Sequence, residues 1–202
     1  MVMKETELRD YLEQQFQNIV KAPYLLGSEV PIPYKHIYIP SELMTKLEIW
    51  CFKQDIIIYQ NLYDKTIGYK DARITYNKKE HIEIVLEKDS HQKSHHVGLP
   101  YVILELKVGQ PDSHQIITYS QKAQMIKTIF PYCQFLFLVH PKKKIAARTY
   151  RHGLNFDEII TLKNPRDKAE INALRKCLVK HFKIALASLS KLKKESIATT
   201  IE

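Results

Sequence analysis

The chain has 202 residues, 45% of them hydrophobic and 26% charged, which is apolar enough for a buried core and excludes wholesale disorder. Five glycines and the absence of any GxxxxGK or GxGxxG pattern exclude the phosphate-cradling loops of nucleotide-binding enzymes. The net charge of +9 is unevenly placed: 16 basic and 16 acidic residues cancel over residues 1–141, while residues 142–202 hold 15 against 6. A basic third of this kind suits a phosphate-bearing partner, although a solvated lysine-rich helix face has the same composition.

The length fits one domain. We divide it into a first helix (1–27), an elaboration (28–70), a core (71–140) and a basic loop, strand and helix (141–202). Cys51, Cys133 and Cys177 are widely spaced and form no CxxC pair, so free thiols in a reducing compartment are expected. The amphipathic N-terminus carries Lys4, Glu5, Glu7, Arg9 and Asp10, unlike a secretory leader, and no later apolar run reaches ~18 residues. The expectation is a soluble, cytoplasmic protein with no membrane partner and no nucleotide cofactor.

In chain order, residues 5–20 repeat apolar side chains at Leu8, Leu12, Phe16 and Ile19 or Val20, the stripe of a helix, which Pro23 and Gly27 end. Pro31, Pro33 and Pro40 make the next stretch extended, and Ser41 is placed to cap a short helix through Trp50, itself expected in the core. Residues 54–60, with Ile56-Ile57-Ile58-Tyr59, read as a strand. Residues 82–87 and 101–108 read as two strands of a hairpin with a long polar connection. A helix follows over 113–130, built on Ile116, Ala123, Ile126 and Phe130. Residues 133–140 then read as a strand apolar on both faces, as inside a covered sheet. After the basic loop Lys142-Lys143-Lys144 come a short strand near 158–162 and an amphipathic helix over 167–194, carried by Ile171, Leu174, Leu178, Phe182, Leu186 and Leu189. The order gives a mixed sheet flanked by helices, an α/β/α three-layer domain.

The chemistry concentrates at Glu105-Leu106-Lys107. Residues two apart on a strand share a face, so Glu105 and Lys107 point together from the end of an apolar strand. Placing both beside a core costs desolvation unless they pair or a ligand uses them; the plain alternative is a strand emerging into solvent. The expected hairpin sets Glu83 beside Glu105. Two neighbouring carboxylates repel unless a divalent cation neutralises them. A lysine alongside then holds an attacking water or stabilises phosphorane-like charge.

With these residues in place, the pattern resembles the PD-(D/E)xK nuclease superfamily over residues 5 to about 140. The resemblance implies a restriction-endonuclease-like fold and a magnesium- or manganese-dependent DNA nuclease, commonly a homodimer. Glu5 would supply the first-helix acid, with Glu7 and Glu13 behind it. Glu83 would stand where the family usually has Asp, with Asp71 and Asp89 as competitors, and Glu105 and Lys107 would form the ExK step. Gln115 and Tyr119 match the QxxxY helix of one branch of the superfamily and lie one turn apart. Lys122 shares their helix face and is placed to touch a DNA phosphate.

Lys142, Lys143, Lys144, Arg148 and Arg151 are the expected DNA-phosphate contacts, with Tyr150 and His152 placed to stack on exposed bases. His91, His95 and His96 lack a cysteine or carboxylate partner on a rigid element, which argues against zinc there. Residues 28–70 are assigned to packing or dimerisation. Two rival readings are a degenerate nuclease fold that binds nucleic acid without cutting it, and an assembly protein whose basic helix binds an acidic partner.

Overall fold

The structure, a computed structural model, describes residues 3–34, 46–61, 72–77, 81–86, 98–141 and 147–198. It is an α/β fold with two sheets. The elements are α1 (Glu5–Phe16), β1 (Leu25–Gly27), β2 (Val30–Pro33), β3 (Lys46–Gln54), β4 (Ile56–Asn61), β5 (Ala72–Asn77), β6 (His81–Leu86), β7 (Gly98–Val108), α2 (Ser113–Ile129), β8 (Gln134–His140), α3 (Ala147–His152), β9 (Glu158–Thr161) and α4 (Lys168–Ala198).

The main sheet has the order β1-β4-β7-β8-β9. β1, β4 and β7 run antiparallel, and β7, β8 and β9 run parallel, so β7 sits where the sheet changes sense. The change follows from the connections: α2 carries the chain back from the end of β7 to the start of β8, as parallel neighbours require. β8 is buried from Phe135 to Val139, on both faces. Gln134 on this strand meets His181 of α4, whereas Phe137, of opposite parity, packs on Tyr119 of α2. Helices therefore cover both sides of the sheet. α1 lies with α4, since Arg175 donates to the Gln15 carbonyl.

The stripes expected of the helices are the ones buried. Leu8, Leu12 and Phe16 on α1 and Ile116, Ala123 and Ile126 on α2 are fully enclosed. Ile171, Leu174 and Leu178 hold α4 down, with Phe182, Leu186 and Leu189 packed at the core's edge. Among the described residues, no helix is long and apolar enough to cross a membrane. Cys51 and Cys133 are buried and Cys177 is half-buried.

Three expectations are corrected. Residues 46–50 are strand, the first part of β3, where the sequence suggests a helix through Trp50; residues 41–45 lie outside the described part. The hairpin of 82–87 with 101–108 does not form. β6 belongs to a second, antiparallel sheet, β2-β3-β6-β5, with Glu83 opposite Glu48 on one side and Thr75 on the other. β7 instead takes β4 as its antiparallel partner, with Ile56 opposite Leu104. β4 has Ile56, Ile57 and Ile58 at 1% exposure or less, which suits an inner strand covered on both faces. Finally, 147–152, expected as loop, is the short helix α3.

Candidate active site

β3 and β4 are separated by one residue, Asp55, at the joint between the two sheets. The register that pairs Ile56 with Leu104 sets Asp55 opposite Glu105, and cross-strand partners of an antiparallel pair share a face. Asp55 is anchored there: its Oδ2 accepts the Leu106 backbone N–H at 2.8 Å. Burial raises its carboxyl above the usual range. The Leu106 hydrogen bond opposes that shift, and the Glu5 charge adds to it.

Glu105 is 5% exposed. Its Oε1 lies 3.7 Å from Lys122 Nζ, and its buried Oε2 has no hydrogen-bond partner among the described residues. Burial, then the neighbouring Asp55 charge, pushes its carboxyl up to about 8, with Lys122 pulling against both. Glu5, from the first turn of α1, closes the group. Its Oε2 accepts the Val108 N–H at 3.2 Å and stands 3.3 Å from Lys107 Nζ. Three carboxylates and two ammonium groups thus meet at the end of β7.

Lys122 also lies 5.2 Å from the ring centroids of both Phe52 and Tyr119, so aromatic faces help hold its charge. Tyr119 flanks the site. Burial, then the Glu105, Glu5 and Asp55 charges, pushes its phenol up to about 12. Gln115 is engaged elsewhere. Its N–H donates to Asp112 Oδ1 at 2.8 Å and its Oε1 accepts the Asp112 N–H at 3.2 Å. That is a capping box at the start of α2.

The structure brings together Glu5, Glu105, Lys107, Tyr119 and Lys122. It leaves Glu83 in the other sheet, because β6 pairs with β3 and β5. Glu7 receives the Lys4 N–H at the helix start. Arg148 and Arg151 lie on α3, with Arg151 exposed. Asp71, Asp89, His91, His95, His96 and Lys142, Lys143 and Lys144 lie outside the described residues. The residue that sequence reasoning misses is Asp55. Its signal is its place directly before Ile56-Ile57-Ile58, an acid at the mouth of a strand apolar on both faces.

Asp55, just before β4, and Glu105 on β7 offer hard oxygen donors, with Glu5 close enough to contribute directly or through water. The orphaned Glu105 oxygen and the mutual repulsion of the acids are what a divalent cation would relieve. Magnesium or manganese fits this donor set better than zinc, which favours nitrogen and sulfur. Neither the known family models nor the curated proteins compared with this chain give a match.

Proposed function

We propose that this chain is a metal-dependent nuclease that hydrolyses DNA phosphodiesters, with a restriction-endonuclease-like core of PD-(D/E)xK type. The observation that carries the reading is Asp55 set opposite Glu105, with Lys107 two residues further along the same strand. Magnesium or manganese, held by Asp55 and Glu105 with Glu5 nearby, would supply Lewis acidity toward a phosphate oxygen. Lys107, 3.3 Å from Glu5, is placed to orient the attacking water or to meet the charge that builds on the phosphorus oxygens. Lys122, across Glu105, is free to meet a phosphate once a metal has taken over neutralising that carboxylate.

The basic C-terminal third supports a polyanionic substrate, and exposed Arg151 on α3 is available to it. The rival reading, a degenerate fold that only binds nucleic acid, rests on Glu83 standing in for an aspartate. Asp55, set opposite Glu105, supports the catalytic reading over that one.

The test is an assay on linear, branched and single-stranded DNA with Mg²⁺ or Mn²⁺ against a chelator control. Cleavage that needs the metal and is lost in both Glu105→Gln and Lys107→Ala is expected. Cleavage that persists in both variants would overturn the assignment, as would DNA binding with no cleavage of any substrate.

A further inference from the structure

We propose a second metal site, for zinc, in which Glu158, Cys177 and His181 clip α4 to the edge strand β9. The site does not depend on the nuclease reading. Cys177 and His181 are one helical turn apart on α4 and therefore share a face. Glu158 opens β9, the outermost strand of the main sheet. The ligand atoms of the three residues lie within 4.8 Å of one another. A tetrahedral zinc with bonds of about 2.0–2.3 Å needs ligand separations of roughly 3.3–3.8 Å, so small side-chain rotations close the site.

His181 makes the strongest case. Its ring is 4% exposed, a costly place for a polar group without a purpose. Nδ1 lies 3.0 Å from Gln134 Oε1 and Nε2 lies 2.9 Å from Glu158 Oε2. With Nδ1–H donated to the Gln134 carbonyl, the nitrogen aimed at Glu158 and Cys177 is the one that can bind metal. A histidine ligand held through its other nitrogen by a carbonyl oxygen is the usual outer arrangement of a zinc site. Gln134, at the start of β8, thus positions the ring.

The donor set selects the ion. One sulfur, one nitrogen and one carboxylate oxygen suit zinc, whereas magnesium and calcium prefer oxygen alone. Thiolate and carboxylate together balance the charge of a divalent ion. Glu158 is 39% exposed at its side chain, so water can take the fourth position. Lys180 Nζ, 3.4 Å from the same Glu158 oxygen, competes with the metal, but it is 63% exposed and can swing into solvent.

The experiment titrates Co²⁺, as a spectroscopic stand-in for zinc, into the full metal-free chain. One equivalent is expected to give the near-ultraviolet band of a thiolate–cobalt bond and the intense visible bands of four-coordinate cobalt, both erased by Zn²⁺. Cobalt at the all-oxygen Asp55–Glu105 group gives no thiolate band, so failure of one site is distinguishable from failure of the other. Cys177→Ser is expected to lose the band while Cys51 and Cys133 remain, and Lys180→Met to bind more tightly. In a Glu105→Gln background, zinc at a hundredfold excess over its Kd should raise the Tm by about 5–10 °C, and adding Cys177→Ser should abolish that rise. A titration without the thiolate band overturns the proposal, as does a band that survives in Cys177→Ser or a Tm rise that survives in the double variant.

Discussion

Asp55 holds the backbone N–H of Leu106 through its Oδ2 at 2.8 Å, which fixes a carboxylate from the joint between two sheets beside Glu105 on β7. Asparagine at this position keeps an oxygen that accepts the same N–H and removes only the charge. Asp55→Asn should therefore fold normally, yet lose metal affinity and cleavage by about a hundredfold or more. Glu83→Gln, in the other sheet, should cleave as the unaltered chain does. Steady-state cleavage of the three proteins decides it: equal loss in both variants, or loss in Glu83→Gln alone, would return the metal site to β6.

The buried Glu105 makes the metal-free protein sensitive to alkali. Its carboxyl titrates near 4.5 in an unfolded chain and at about 8 in the fold. Below 4.5 both states hold the proton and the fold carries no penalty. As pH rises to about 8 the unfolded chain releases the proton and the fold does not, so stability drains by up to ~1.4 kcal/mol per pH unit; above 8 the loss is complete. Asp55, raised in the same direction, adds to the early part of this fall. Urea midpoints from pH 5 to 9 without metal should decline, and Glu105→Gln should flatten the curve. Mn²⁺ binding requires the ionised group, so its affinity should climb by up to about tenfold per unit until pH 8. A pH-independent Mn²⁺ affinity would show that Glu105 is not a ligand.

Much of this arrangement is legible in the chain, and what is not has a definite cause. The stripes of α1, α2 and α4, the doubly apolar β8 and the Glu105-x-Lys107 step are local patterns, and they survive because tertiary packing uses the faces they mark. Strand pairing is a non-local choice. Residues 82–87 and 101–108 are neighbouring strands in sequence, which is what suggests a hairpin. The main sheet instead takes the more apolar Ile56-Ile57-Ile58, whose two covered faces match the sheet interior. The strand holding Glu83, interrupted by that charge, goes to the second sheet. Of the acids expected together, Glu5 and Glu105 meet and Glu83 does not; the acid that joins them, Asp55, sits far back in sequence, at the turn from β3 into β4.

Gln115 separates motif from mechanism. The resemblance would give it to the catalytic group with Tyr119, whereas its side chain accepts the Asp112 N–H and completes a capping box. Gln115→Ala should lower stability by about 0.5–1 kcal/mol, as the loss of such a cap does, with kcat within a factor of a few. Thermal melts paired with kcat measure the split. A tenfold or greater fall in kcat at unchanged stability would place Gln115 in the site after all.

The two lysines of the site should part company when each is neutralised. Lys107 pairs with Glu5 and projects from the same strand as Glu105, so Lys107→Gln should cost kcat about 10²–10⁴-fold, the usual worth of a group that handles the attacking water. Metal affinity should barely change. Lys122 stands 3.7 Å from Glu105 Oε1, and its charge favours the ionised carboxylate. Removing it in Lys122→Met takes away a cation that competes with the metal, so Mn²⁺ should bind more tightly in calorimetric titration. The same variant should bind DNA more weakly and lose about one unit of salt slope, because one phosphate contact is gone. On the proposed reading, Asp55 and Glu105 would hold the metal, which would neutralise Glu105 in place of Lys122 and leave the Lys122 ammonium available to a phosphate. Weaker Mn²⁺ binding in Lys122→Met, with the salt slope unchanged, would sink that exchange and leave Lys122 as a structural partner of the aromatic rings beside it.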